Sequence, residues 1–209
     1  PLVFSNSYLN TTDLYKSFSA FIIFCLAASA VYIVNDIVDK KNDMKHPVKK
    51  FRPIASGSID ISIAVKILIF LYLVIIFLSL SNLNIMLVVL IYILLNIMYS
   101  YFLKNYAVID IFVISFGFLL RVYAGIFAIN CDISNWALIT TFCLALFLAS
   151  VKRKQELKNI RTISRQSLNN YSLNLIDFYI NISGILAIVF YSLFSLTINE
   201  NFFITIPNF

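Results

Sequence analysis

The chain of 209 residues is 61% apolar and only 12% charged, with a mean hydropathy of +0.90 and a net charge of +6. Soluble globular domains carry about 25% charged residues, so this composition excludes that class and places the chain in a membrane. The positive excess requires no nucleic acid, because it collects in loops between apolar runs, where membrane topology accounts for it.

Runs of about 20 apolar residues, the length that crosses a hydrocarbon core of roughly 30 Å, predict helices over 17–35, 61–81, 83–103, 108–130, 135–151 and 177–198. The opening "PLVFSNSYLN" begins on Pro1 rather than Met, and "ENFFITIPNF" stops as another apolar stretch begins. Both ends predict one transmembrane domain over 1–209 that is truncated on each side. Cys25 and Cys143 fall inside spans and Cys131 lies alone in a short loop, a pattern that suggests neither a disulfide framework nor metal-ligand spacing.

The segment after the first span, "NDIVDKKNDMKHPVKKFRPIASG", is unusual. If the helix continues past Val34, then Asp36, Asp39 and Asp43 stand at i, i+3 and i+7 and share an arc of about 60°, with Asn35 about 100° from Asp36. Like charges at that spacing repel, so the stripe calls for a counter-cation. Neighbouring lysines would serve, and so would a divalent ion. Mg2+ takes oxygen ligands and is commonly held by one or two carboxylates plus substrate phosphates, whereas zinc lacks a Cys or His pair here. The basic tail then supplies Lys49, Lys50 and Arg52 for the remaining oxygens of a diphosphate. Pro47, Pro53 and Gly57 would shape a turn that folds these bases back over the acids, and His46 reads as a turn or phosphate-contact residue rather than a catalyst. A solvated topogenic loop with incidental acids is the plain alternative. The aspartate spacing and the compact order of acids then bases favour a site.

Thirteen of the sixteen Lys and Arg residues lie after the first, third and fifth spans, including Lys104 and the run Lys152, Arg153, Lys154, while the loops at 81–84 and 130–135 contain none. That asymmetry predicts a multi-pass protein of the cell membrane whose charged loops are cytoplasmic. Lys154, Lys158, Arg161 and Arg165 repeat at helical spacing and would rest on anionic lipid head groups. Two ionisable residues, Asp110 and Arg121, sit within the fourth span, about 20° apart in helical rotation and about 16 Å apart in rise. Both would face the bundle interior; a partner on a neighbouring helix, or outward snorkelling, explains Arg121 equally well. Tyr92, Tyr99, Phe116 and Phe118 are candidate walls for an apolar tail, although aromatic residues in spans mostly pack.

Asn35, Asp36, Asp39 and Asp43, followed by Arg52, Pro53, Ser56 and Gly57, resemble the N-D-x-x-D-x-x-x-D and R-P-x-x-S-G motifs of the UbiA superfamily of intramembrane prenyltransferases. The resemblance implies an all-α polytopic bundle of the UbiA type, of about nine spans with a cytoplasm-facing cavity, of which this chain carries six. One further span before residue 1 would make 152–176 the loop of the family's second motif. There the chain departs from the prenyl-diphosphate users, reading "LASVKRKQELKNIRTIS" where acids are the rule and keeping only Glu156 nearby. In this it resembles the branch that moves phosphoribosyl from 5-phosphoribosyl-1-diphosphate to a polyprenyl phosphate such as decaprenyl phosphate.

That resemblance implies an Mg2+-dependent transferase. Asp36, Asp39 and Asp43 would hold the metal; Asn35, Lys49, Lys50, Arg52, Lys152, Arg153 and Glu156 would bind substrate; Lys104, Asp110 and Arg121 are secondary candidates. The implied partners are polyprenyl phosphate, 5-phosphoribosyl-1-diphosphate and membrane lipids. Transfer of a prenyl chain to an aromatic or quinone-precursor acceptor is the alternative within the superfamily. A transporter is the alternative outside it, and it leaves the acid-then-base loop without a role.

Overall fold

The computed structural model describes Leu2, residues 9–158 and residues 171–204, the last seven by backbone alone. Its helices are α1 (Thr11–Asp43), α2 (Ile61–Ser79), α3 (Leu83–Tyr101), α4 (Ile109–Ile129), α5 (Asn135–Lys158) and α6 (Leu173–Ile204). All six are long and apolar enough to cross a membrane, and the fold is an all-α transmembrane bundle. The helices fall where hydropathy predicts them, with corrections at polar ends. The first begins at Thr11 rather than 17 and runs on to Asp43, the fifth continues to Lys158, and the sixth starts at Leu173 and extends beyond 198. Hydropathy reports only the part that suits lipid, whereas backbone hydrogen bonds propagate a helix into the interface.

Side-chain caps set several starts. Asn10 accepts the Thr12 N–H ahead of α1, and Asn82 accepts those of Asn84 and Ile85 ahead of α3. Asn82 also donates to the Phe127 carbonyl and ties α3 to the far end of α4. Asn130 closes α4 in the left-handed conformation, which Asn tolerates well.

α1 packs against α2, α3 and α4; α4 leads on to α5, and α5 pairs along its length with α6. Small residues make the close approaches: Ala20, Ala27 and Ala30 of α1 and Ala124 and Ala128 of α4 are buried in the main core beside Ile23, Val88 and Val89. Outward faces remain apolar, as Phe70, Leu73, Phe77 and Leu87 show, which suits a lipid solvent. At 33 residues α1 is about 50 Å long, more than a hydrocarbon core requires, so its last turns carry Asp36, Asp39 and Asp43 toward the polar interface.

Candidate active site

The C-terminal end of a helix carries a partial negative charge, and three aspartates placed there need compensation. The loop that follows provides it. His46 Nδ1 accepts the backbone N–H groups of Val48 and Lys49, a 3-10 turn spans Lys49–Phe51, and Gly57 takes a φ of +81°, reserved in practice for glycine. Burial and the neighbouring Lys49 charge hold the His46 imidazole below its ordinary range, with Asp43 pulling the other way. A neutral ring is what the two accepted hydrogen bonds require, and it gives His46 a role in the turn.

This turn brings Arg52 back over the helix end. Its Nη1 lies 2.8 Å from Asp36 Oδ1 and 2.8 Å from Asp43 Oδ2. Asp39 is instead paired with Lys104, which reaches it from the turn after α3 and is itself buried. The acids therefore divide into two groups, and among the described residues no three Asp, Glu, His or Cys side chains converge on one metal position. The donor set is all oxygen, and one guanidinium nitrogen already bridges Asp36 and Asp43 as a cation would. The pair fits a hard divalent ion that takes its other ligands from substrate phosphate and water, and does not fit a closed protein cage. Lys50 lies over the Phe51 ring in the same turn.

Beside the acids, a cavity of roughly 350 Å3 opens between α1, α3, α4 and α5. Asn35, Tyr92, Asn96, Tyr99, Arg121, Lys152 and Arg153 give it polar groups, and among the described residues no carboxylate lines it. Asn35 Oδ1 is buried without a hydrogen-bond partner among the described residues, an acceptor left for something the cavity would hold. Of the aromatic wall residues expected from sequence, Tyr92, Tyr99 and Phe118 line this cavity. Phe116 does not: it packs against Phe142, with ring centroids 5.2 Å apart, on another face of α4.

Behind the cavity lies a buried ionic network that sequence reading only partly anticipates. Arg153, 1% exposed, donates from Nε to Asp110 Oδ2 at 2.6 Å, from Nη1 to Glu156 Oε2 at 2.5 Å and from Nη2 to the Tyr99 hydroxyl at 3.3 Å. The Tyr171 hydroxyl donates to Asp110 Oδ1 at 2.5 Å and accepts the Val108 N–H at 2.7 Å. Val108 has a φ of 70°, a strained value for a β-branched residue, and Tyr171 fastens it there. Burial and the Asp110 carboxylate push the Tyr171 phenol well above the usual tyrosine range, so it remains a donor. Asp110 is thus interior, as its place in the span suggests, but its partners are Arg153 and Tyr171. Arg121 stands apart with aromatic neighbours. The expected lipid-facing role of Lys154 meets an ion pair with Asp177 at 2.5 Å; Arg161 and Arg165 lie outside the described residues.

The aspartate-bearing end of α1 and the cation-lined cavity place a charged, polar site within a bundle of membrane-spanning helices. The sequence profile of the UbiA prenyltransferase family matches residues 7–199, and the chain belongs to that family. It is similar to the decaprenyl-phosphate phosphoribosyltransferases of Mycolicibacterium smegmatis, at 35% identity over 180 residues, and of Corynebacterium glutamicum, at 35% over 188. These alignments cover 84% and 87% of the chain and 57% of each relative, so the chain spans under two thirds of their length. In fold it matches a UbiA homolog from Archaeoglobus fulgidus bound to DMAPP and Mg2+, with a TM-score of 0.78 at 13% identity, over 90% of this chain and 68% of that one.

Proposed function

We propose that the protein transfers the phosphoribosyl group of 5-phosphoribosyl-1-diphosphate to a polyprenyl phosphate of the decaprenyl phosphate type, releasing diphosphate, with Mg2+ as cofactor and the charged helix ends in the cytoplasm. The observation that carries this reading is the sign of the charge inside the cavity. Among the described residues its wall holds Arg121, Lys152 and Arg153 and no carboxylate, while the aspartates occupy the adjoining turns of α1. A donor with a diphosphate and a 5-phosphate, together with a phosphorylated acceptor, brings more negative charge than a single prenyl diphosphate, and a basic interior balances it. The names of the two bacterial relatives support the same choice.

In this reaction the bond from ribose C1 to the diphosphate oxygen breaks and its electron pair departs with diphosphate. An oxygen of the acceptor phosphate forms the new bond to C1. That oxygen is anionic at neutral pH, so no side chain has to remove a proton, and the presence of a single histidine is no obstacle. Asp36, Asp39 and Asp43 would hold Mg2+, which when bound would supply neutralisation of the leaving group. Arg52, with Lys49 and Lys50, takes the outer diphosphate oxygens as it leaves the aspartates. Asn35 accepts from a ribose hydroxyl, and Lys152 with Arg153 receives the 5-phosphate. Glu156 and Lys104 act one step back, holding Arg153 and Asp39 in place.

The test is mass spectrometry of lipids from membranes containing the protein, supplied with Mg2+, 5-phosphoribosyl-1-diphosphate and decaprenyl phosphate. The phosphoribosylated lipid phosphate is the expected product, and its absence while the folded protein is present overturns the proposal.

A further inference from the structure

Arg121 carries a full charge within the fourth span, and among the described residues no carboxylate pairs with it. It is held by aromatic groups instead. Its Nη2 donates to the Tyr92 hydroxyl at 3.0 Å, and its guanidinium carbon sits 4.9 Å from the Phe118 ring centroid and 5.5 Å from that of Tyr92. Tyr92 is itself fixed, packing on Phe24 at 5.1 Å and passing 3.6 Å from where a side chain at Gly117 would begin. Aromatic faces orient a guanidinium without neutralising it, and among the described residues four of its five N–H donors remain for another partner.

Two cavities meet at this residue. The polar one described above includes Arg121 on the α4 wall, with Val113 on the same wall about 12 Å away along the helix. A second, of about 590 Å3, lies between α1 and α4; Phe21, Phe24, Cys25, Ala28 and Ala124 line it, and Arg121 is its charged group. Polar compartment, unpaired cation and apolar compartment therefore stand in series. An ordinary ion-pair partner would need no apolar chamber, and a purely apolar ligand would need no arginine. The matching ligand is amphiphilic, with one compact anionic head and one slender apolar chain.

We infer that Arg121 is the head-group residue for an isoprenoid monophosphate, whose phosphate it grips while the first isoprene units enter the cavity between α1 and α4. This rests on the proposed reaction for its biological meaning, where it places the acceptor phosphate at the Arg121 end of the polar cavity, but binding can be measured without turnover. A planar guanidinium donates two parallel hydrogen bonds to a phosphate, and lysine does not reproduce that geometry.

The test compares purified wild-type protein with Arg121→Gln, Arg121→Lys and Ala28→Phe for binding of decaprenyl phosphate, decaprenol, phosphatidylglycerol and inorganic phosphate. The wild type is expected to bind decaprenyl phosphate at least tenfold tighter than decaprenol, with phosphatidylglycerol and inorganic phosphate failing to compete. Arg121→Gln is expected to erase that preference, Arg121→Lys to retain only part of it, and Ala28→Phe to weaken phosphate and alcohol alike by filling the apolar chamber. A preference surviving in Arg121→Gln, or equal competition by phosphatidylglycerol or inorganic phosphate, overturns the assignment. Should Arg121→Gln fail to fold, Ala28→Phe decides: undiminished lipid binding in that variant also overturns it. If the wild type binds through Arg121 yet never consumes 5-phosphoribosyl-1-diphosphate, the head-group site stands and the proposed reaction falls. If Arg121→Gln turns over with an unchanged KM for the lipid, the reaction stands and the site falls.

Discussion

Arg52 is the residue on which the acidic face turns, because it bridges Asp36 and Asp43, where the proposed divalent ion would sit. Its side chain is 37% exposed, so its two ion pairs are screened and stabilise the fold only weakly. Its larger effect is competition. Arg52→Gln is expected to tighten binding of Mn2+ alone, followed by electron paramagnetic resonance, by about 3- to 10-fold, a change of about 1 kcal/mol, while slowing turnover. Unchanged or weaker Mn2+ binding would show that Arg52 does not guard the aspartates. His46 gives a second test at this scale. Its folded pKa lies below 6.5, so the unfolded chain binds more protons as the pH drops, and the turn is fully stable above 6.5 and loses stability as pH falls through the folded value. As His46 is the chain's one histidine, its labelled ring gives a single NMR titration, expected below 6.5; a midpoint above 6.5 would contradict the buried, hydrogen-bond-accepting imidazole.

Among the elements, the joint between α4 and α5 is the one most dependent on a few groups. Asp110 and Arg153 are fully buried; removing Arg153 strands the Asp110 charge, and removing Asp110 leaves the guanidinium with the half-buried Glu156 as its one carboxylate among the described residues. Asp110→Ala is expected to cost about 3–5 kcal/mol in reversible unfolding in detergent, and the double variant Asp110→Ala/Arg153→Met to recover a substantial part of it. Additive losses would mean that the pair acts independently. The smaller change Tyr171→Phe leaves an acceptor on Asp110 and the Val108 N–H unpaired and is expected to cost about 1–3 kcal/mol. Much of the acidic face was legible in the sequence: Asp36, Asp39 and Asp43 keep their helical stripe, and the turn folds Arg52 onto it. The helix joints were not. Lys104 reaches Asp39 across 65 residues and Tyr171 reaches Asp110 across 61, and no local spacing encodes either contact. In lipid the outward face of a helix is as apolar as the inward one, so periodicity does not reveal which face meets which neighbour. Phe116 and Phe118 illustrate this: one turns to Phe142 and the other to the cavity. Tyr171, two residues before its helix, gave no signal at all.

Across the whole molecule, the ion pairs draw the ends of α1, α3, α4 and α5 to one side: Asp39 meets Lys104, and Asp110 meets Arg153. In the proposed topology that side faces the cytoplasm. In a cysteine-free background, Lys45→Cys is expected to react with an impermeant maleimide only in inside-out vesicles and Asn84→Cys only in right-side-out ones; the reverse pattern would invert the topology. The arrangement also bears on chemistry, since the acidic face of α1 adjoins a cavity lined by Arg121, Lys152 and Arg153, and that division of charge underlies the proposed choice of a phosphoribosyl donor. The most direct measurement is a comparison of donors. Membranes holding the protein, with Mg2+ and decaprenyl phosphate, receive 5-phosphoribosyl-1-diphosphate labelled in the ribose; matched membranes receive labelled prenyl diphosphate and an aromatic acceptor. The account predicts label in lipid from the ribose donor and none transferred from the prenyl donor, whereas transfer from prenyl diphosphate alone would contradict it.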